Sequence, residues 1–82
     1  MARTSAREDA RILLAHKTRL LRFLRGWNQS ALAHAAGLHR TYISAIERGN
    51  CNISLDNIQK LASGFGVSVA ELFTRGQSDD ER

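Results

Sequence analysis

The chain has 82 residues, 43% of them hydrophobic and 24% charged, which predicts one globular domain near the lower size limit for a self-sufficient core. This composition excludes a low-complexity disordered chain, and the net charge of +4 suits a polyanionic partner, although a small positive charge is common. The single cysteine, Cys51, permits no intramolecular disulfide, and no signal peptide or membrane-spanning apolar run is visible. We therefore expect a reducing, cytoplasmic setting.

We expect the chain to consist of three parts. Residues 1–16 form an N-terminal arm and an extension of the first helix, residues 17–74 form the folded domain, and residues 75–82 form a polar tail expected to be disordered. The chain contains no proline, and no strand pattern is present. An all-α fold of five helices is expected.

The first predicted helix begins at a capping box formed by Ser5 and Glu8, places Glu8 and Asp9 in its first turn, and continues to Arg25. Its apolar side chains occupy more than one face, so the N-terminal extension either folds over its own core or contacts another subunit. Its basic side chains form a row that is either a solvated face or a contact with a phosphate backbone. This row consists of Lys17, Arg19, Arg22 and Arg25.

The segment from Asn28 to Gly49 predicts two short helices joined by a tight turn. Asn28 is a good N-cap for a helix from Gln29 to Ala36, and Gly37 can turn the chain in the left-handed conformation. The next helix begins at His39 or Arg40 and ends before Gly49. Trp27 is expected to cover the core between helices one and two. The predicted inward contacts join Ile43 and Ile46 to Leu32 and Ala36, with Ala33 small enough for close helix approach.

The remaining elements are a fourth helix over residues 55–65 and a short fifth helix. Gly66 ends the fourth helix, and a second capping box, Ser68 with Glu71, opens the fifth helix, which continues through Phe73. The predicted inward stripe of the fourth helix consists of Leu55, Ile58, Leu61, Ala62 and Phe65.

The sequence resembles a known family over residues 17–73. The motif NQSALAHAAGLHRTYISAIERG, continued by NISLDNIQKLA and VSVAELF, is similar to the helix-turn-helix of phage repressor, Cro and xenobiotic-response-element (XRE) regulators. Within that family, HRTYISAIERG followed by NISLDNIQKLA most resembles the controller proteins of restriction-modification systems. The resemblance implies a compact five-helix, lambda-repressor-like bundle that binds double-stranded DNA as a homodimer on a two-fold symmetric operator.

The resemblance also implies roles for individual residues. The third helix would lie in the major groove and read bases through its outward residues Arg40, Thr41, Ser44 and Ala45. Gln29, at the N-terminus of the second helix, would bind a phosphate. Further phosphate contacts are expected from Asn28, His39, Tyr42, Arg48, Asn52, Ser54 and Lys17. For three of these a structural role is the alternative: His39 or Ser54 as an N-cap, and Tyr42 as a core residue.

Two structural roles follow from the same resemblance. Arg22 is expected to form an ion pair with Glu47 that joins the first helix to the third. Typical relatives carry an apolar residue at Thr18 and polar residues at Phe23 and Leu24, so the first helix departs from the pattern. The homodimer interface is expected to include Val67, Val69, Leu72 and Phe73, which could equally belong to the core.

Other functions are less well supported by the sequence. Zinc-site spacing is absent from the potential metal ligands His16, His34, His39 and Cys51, and the sequence contains no glycine-rich phosphate loop. We therefore expect no enzyme activity. We also expect no metal, cofactor or small-molecule ligand. The alternative function is an antitoxin-type interaction module. Such a protein would use the apolar surface of helix one to hold a partner and the helix-turn-helix for autoregulation.

Overall fold

The computed structural model describes residues 9–74, and within that range it contains α-helices and no strand. The predicted all-α class is therefore confirmed. The predicted capping box of Ser5 and Glu8 and the predicted tail lie outside the described residues. No helix of the described part has the length and apolar character needed to cross a membrane. The five helices are α1 (Ala10–Leu24), α2 (Gln29–Ala36), α3 (Arg40–Glu47), α4 (Leu55–Phe65) and α5 (Val69–Leu72).

Side-chain caps explain where most helices begin. Asp9 was expected in the first turn of helix one, but it is the N-cap of α1, where its carboxylate accepts a hydrogen bond from the Arg11 backbone N–H at 2.9 Å. The pKa of Asp9 is lowered mainly by the hydrogen bond from the Arg11 side chain and further by the one from the Arg11 backbone N–H. Asn28, Ser54 and Ser68 cap α2, α4 and α5 in the same way, since a side-chain oxygen satisfies a free N–H of the first turn.

The core lies between all five helices. Ile43 and Ile46 of α3 and Leu32 of α2 are almost completely buried, as the helix-turn-helix pattern predicts. Trp27 packs against the core at the entrance to α2, with its ring stacked on Phe65 at a centroid distance of 6.0 Å. The prediction that Leu55 points inward was wrong. It is 81% exposed because it occupies the first turn of α4, before the helix reaches the core.

A glycine allows α2 and α4 to approach each other closely. A Cβ atom built on Gly64 would lie 2.8 Å from the Cα atom of Ala36, closer than such atoms approach in proteins. The sequence pattern identified Ala33 as a small residue for helix crossing, and Ala33 is indeed buried. The pattern did not identify Gly64, whose missing side chain permits the backbone contact.

Helix α1 is divided between a buried face and an exposed apolar face. Leu14 and Ala15 are buried in the core, which supports the interpretation that this helix folds over its own domain. Thr18, where the resemblance led us to expect an apolar residue, is completely buried. The outer face carries Leu20, Phe23 and Leu24, and the last two are 78% and 68% exposed.

The segment around α5 corrects one predicted interface residue. Leu72 is fully buried in the core of its own chain, so it is unavailable for the subunit contact that was predicted for it. Its burial follows from its place on the inward side of α5, which packs against α1 and α4. Val67, Val69 and Phe73 pack against the core but remain half-buried.

Candidate nucleic-acid interface

Helix α3 has one anchored face and one outward face. Ile43, Ile46 and Glu47 are buried against α1 and α2. On the opposite side Arg40 and Thr41 are exposed in the first turn, and Ser44 and Ala45 are half-buried in the second. Within residues 9–74, the Arg40 guanidinium makes neither a hydrogen bond nor an ion pair, which leaves its donors available to a ligand. This arrangement presents the four predicted base-reading residues on one rigid surface.

A buried carboxylate holds α3 in place. Glu47 is 4% exposed, and its two oxygens accept hydrogen bonds from Arg22 Nε at 2.7 Å and Arg22 Nη2 at 2.9 Å. This two-point contact raises the pKa of Arg22, with the Glu47 hydrogen bond as the main cause. Arg22 also donates to the Trp27 carbonyl at 3.0 Å. The ion pair therefore ties α1 to α3 and to the segment that precedes α2.

Gln29 joins the same cluster. It is the first residue of α2, and its Nε2 donates to Glu47 Oε1 at 3.1 Å. One amide donor of Gln29 is thus used within the protein, whereas its second Nε2 hydrogen and its oxygen have no partner among the described residues. The sequence did not indicate this contact, because the two residues lie 18 positions apart and belong to different helices.

Each cation in the basic row of α1 has an acceptor within the chain, although Arg19 and Arg25 are also exposed to solvent. Lys17 is 8% exposed, with its Nζ 3.1 Å from Glu71 Oε2, so the prediction that it contacts phosphate was wrong. Arg19 donates to the Glu47 carbonyl, and Arg25 donates to the Phe65 carbonyl at 2.5 Å. The Arg25 guanidinium also lies 5.6 Å from the ring centroid of Trp27. The row stabilises helix packing.

Several other predicted phosphate contacts have identifiable structural roles. Asn28 Oδ1 accepts from the Ala31 N–H at 2.8 Å, and Ser54 Oγ accepts from the Asn57 N–H at 3.2 Å, so both are N-caps. The Tyr42 hydroxyl accepts a hydrogen bond from Asn57 Nδ2 at 3.2 Å while its ring packs against the core. Both caps remain exposed, and Tyr42 is half-buried.

The remaining three predicted phosphate residues, His39, Arg48 and Asn52, are exposed. His39 occupies the N-cap position of α3 but makes no side-chain cap hydrogen bond, and Asn52 lies in the connection to α4. Arg48 follows the last residue of α3, and its Nη1 donates to Ser44 Oγ at 2.8 Å. Within residues 9–74, no group of three His, Cys, Asp or Glu side chains is placed to hold a metal ion.

Comparison with known proteins gives a family for this arrangement. The profile of the helix-turn-helix family HTH_3 matches residues 19–72, which include α2, α3 and α4. The control protein C.BamHI of Bacillus amyloliquefaciens is 46% identical over 65 residues, which cover 78% of this chain and 80% of that protein. A hypothetical transcription factor of Neisseria meningitidis is 48% identical over 65 residues, which cover 79% of this chain but only 61% of that protein.

Solved structures agree with this assignment. The restriction-modification controller protein C.AhdI from Aeromonas hydrophila has a TM-score of 0.73 and 40% identity, with 77% of this chain and 96% of that chain covered. The controller C.Esp1396I bound to a 19 base pair DNA duplex has a TM-score of 0.70 and 30% identity, with 78% and 85% covered. The chain therefore belongs to the HTH_3, XRE-type helix-turn-helix family of DNA-binding transcription regulators and is similar to restriction-modification controller proteins.

Proposed function

We propose that the protein is a sequence-specific regulator that binds a two-fold symmetric operator as a homodimer, with α3 of each subunit in the major groove. The observation that supports this most directly is the division of α3. Its inner face is fixed by Ile43, Ile46 and the Glu47 ion pair, whereas Arg40 and Thr41 are exposed at its N-terminal end. In helix-turn-helix proteins this end of the recognition helix contacts base edges, and half-sites lie roughly 34 Å apart.

The proposed contacts divide into base reading and positioning. Arg40 offers a pair of donors to guanine O6 and N7, and Thr41 offers a methyl or hydroxyl group to a neighbouring base. Gln29 would use its second Nε2 hydrogen on a phosphate, near the positive end of α2. Asn28, His39, Asn52 and Ser54 are further candidates for phosphate contact because they are exposed. The likeness to C.BamHI and C.AhdI supports a role in controlling restriction-modification genes.

The test is selection of bound duplexes from a random DNA pool at fixed, near-physiological salt. The wild-type protein should enrich a two-fold symmetric motif. Arg40→Ala should lose roughly 1 to 3 kcal/mol of specific binding and relax the preference at one position in each half-site, because a bidentate guanine contact is removed. Gln29→Ala should weaken binding to all sequences about equally, since phosphates carry no sequence information.

Lys60→Ala provides a control, because it removes an exposed cation from α4 and leaves α3 intact. Its selected motif should match that of the wild type. Enrichment of no motif by the wild type, with binding that disappears as salt rises, would reduce the interaction to nonspecific electrostatics and contradict the proposal. An unchanged motif in Arg40→Ala would contradict the placement of α3.

A second candidate function is favoured by one observation, the apolar outer face of α1. Leu20, Phe23 and Leu24 are exposed, whereas the family resemblance led us to expect polar residues at the last two positions. Such a face fits an antitoxin-type module that holds a partner protein and regulates its own gene through the helix-turn-helix. A stable 1:1 complex with the product of a neighbouring gene would support this second function.

A further inference from the structure

A contact on the outer face of α3 changes the role expected of Arg48. Arg48 was expected to bind a phosphate. In the structure its guanidinium does not extend away from the helix. Its Nη1 donates instead to Ser44 Oγ at 2.8 Å, one helical turn toward the N-terminus.

The contact brings the Arg48 charge back to the second turn of α3. Side chains on a helix lean toward its N-terminus, so residues four apart meet on one face. Arg40, Ser44 and Arg48 follow each other at this spacing, and all three lie on the outward side. The Arg48 guanidinium therefore lies beside Ser44, among the residues proposed to face bases.

The hydrogen bond also determines which donors of Ser44 and Arg48 remain free to bind DNA. Ser44 Oγ accepts from Arg48, so the hydroxyl proton of Ser44 remains free to donate to a base acceptor. The Arg48 guanidinium uses one of its five N–H donors and keeps the others, including a parallel pair suited to guanine O6 and N7. Arg48 is exposed, and within residues 9–74 no carboxylate forms an ion pair with it.

We propose that Arg48 is a specificity-determining residue that reads a guanine, with Ser44 as the residue that positions its guanidinium. This inference rests on the proposed function of α3 and adds a second base-reading arginine to it. The Cα atoms of Arg40 and Arg48 lie about 12 Å apart along the helix axis. At a rise of about 3.4 Å for each base pair, the two arginines can address different base pairs of one half-site.

The test compares three variants by the same DNA selection and by titration of the selected operator at several salt concentrations. Arg48→Ala should relax the preference at one base pair other than the one that Arg40 determines, with a roughly 5- to 150-fold loss of discrimination there. Arg48→Lys keeps the charge but loses the paired donors, so it should lose the same preference while the salt dependence stays close to that of the wild type. Ser44→Ala should relax the preference at the base pair that Arg48 reads, because Arg48 is no longer held, and also at the base that the Ser44 hydroxyl contacts.

The alternative roles of Arg48 give different results. If Arg48 binds only a phosphate, Arg48→Ala weakens all sequences alike and lowers the salt slope by about one, and Arg48→Lys binds normally. If Arg48 only stabilises the C-terminal end of α3, Arg48→Ala lowers the midpoint of thermal unfolding and leaves the selected motif unchanged. Either result overturns the proposal for Arg48, provided the wild type selects a motif. A wild-type protein that selects none would instead refute the proposed function itself.

Discussion

At the residue scale, Thr18 is the polar side chain whose place in the fold is least expected. It is fully buried, and its Oγ1 atom has no hydrogen-bond partner among the described residues. A buried hydroxyl that has lost its water without gaining a partner costs free energy. The unpaired hydroxyl of Thr18 is therefore a local defect in the packing of α1 on the core.

Thr18→Val should stabilise the protein, because valine keeps the branched shape of threonine and removes the unpaired hydroxyl. We expect the free energy of unfolding to rise by roughly 1 kcal/mol, measured by denaturant titration at fixed protein concentration. Thr41→Val is the matched control on the exposed face of α3, where the change should stay within about 0.5 kcal/mol. A loss of stability in Thr18→Val would mean that the hydroxyl has a partner in solution.

At the element scale, the crossing of α2 and α4 depends on the absence of a side chain at Gly64. Alanine there would place its Cβ 2.8 Å from the Cα and 2.9 Å from the Cβ of Ala36. Because the opposing atoms belong to backbone and to a buried residue, the clash is relieved only by moving one helix. The contact also supports the helix-turn-helix indirectly, since α2 carries Gln29 at its other end.

Gly64→Ala should destabilise the protein even though alanine favours helix more than glycine does. The propensity gain of about 1 kcal/mol is opposed by overpacking, which typically costs about 1 to 3 kcal/mol and sometimes more. Ser63→Ala, at an exposed position beside it, isolates the propensity term and should not destabilise. Thermal unfolding followed by circular dichroism compares the two variants. Equal or higher stability of Gly64→Ala would show that α2 and α4 separate easily.

The element scale also shows what could be predicted from the sequence. The bounds of α2 and α4 agree with prediction because caps such as Asn28, Ser54 and Gly66 act on their own helix. Pairs such as Lys17 with Glu71 and Gln29 with Glu47 were missed, because they depend on which helices meet in space. The Arg22–Glu47 pair was expected only through the family resemblance. The helix boundaries could be predicted because they depend on residues close together in the sequence. The side-chain contacts between helices could not, because they depend on how the helices pack in three dimensions.

At the scale of the whole molecule, the cations differ in how far they are engaged by acceptors of their own chain. Lys17 and Arg22 are paired with carboxylates inside the chain, and Arg19 and Arg25 donate to backbone carbonyls. Of the cations available for DNA, Arg40 and Arg48 lie on the outer face of α3. Among residues 9–74, these two arginines place positive charge on the surface that is proposed to contact DNA.

The proposed homodimer makes a prediction at this scale. Sedimentation equilibrium of the purified protein should give twice the monomer mass, and Val69→Asp should shift the equilibrium toward monomer by placing a charge in the proposed contact near α5. Because Val69 also packs on the core, circular dichroism must show that the variant remains helical. Phe23→Asp, on the exposed face of α1, should leave the dimer intact.

Other results of the same measurement would identify another assembly. Dissociation by Phe23→Asp rather than Val69→Asp would make the outer face of α1 the subunit contact. A monomer that forms a stable 1:1 complex with a neighbouring gene product, lost in Phe23→Asp, would favour the antitoxin-type function. Both results would contradict the dimer proposed through α5.

The two faces of α3 have an evolutionary consequence. The residues that fix the helix, Ile43, Ile46 and Glu47, are distinct from the outward residues Arg40, Thr41 and Arg48. Mutations can therefore accumulate on the outer face with little effect on folding, while the inner face stays under selection for packing. Gene duplication followed by a few outer-face substitutions would give two regulators of the same architecture that no longer compete for each other's binding sites.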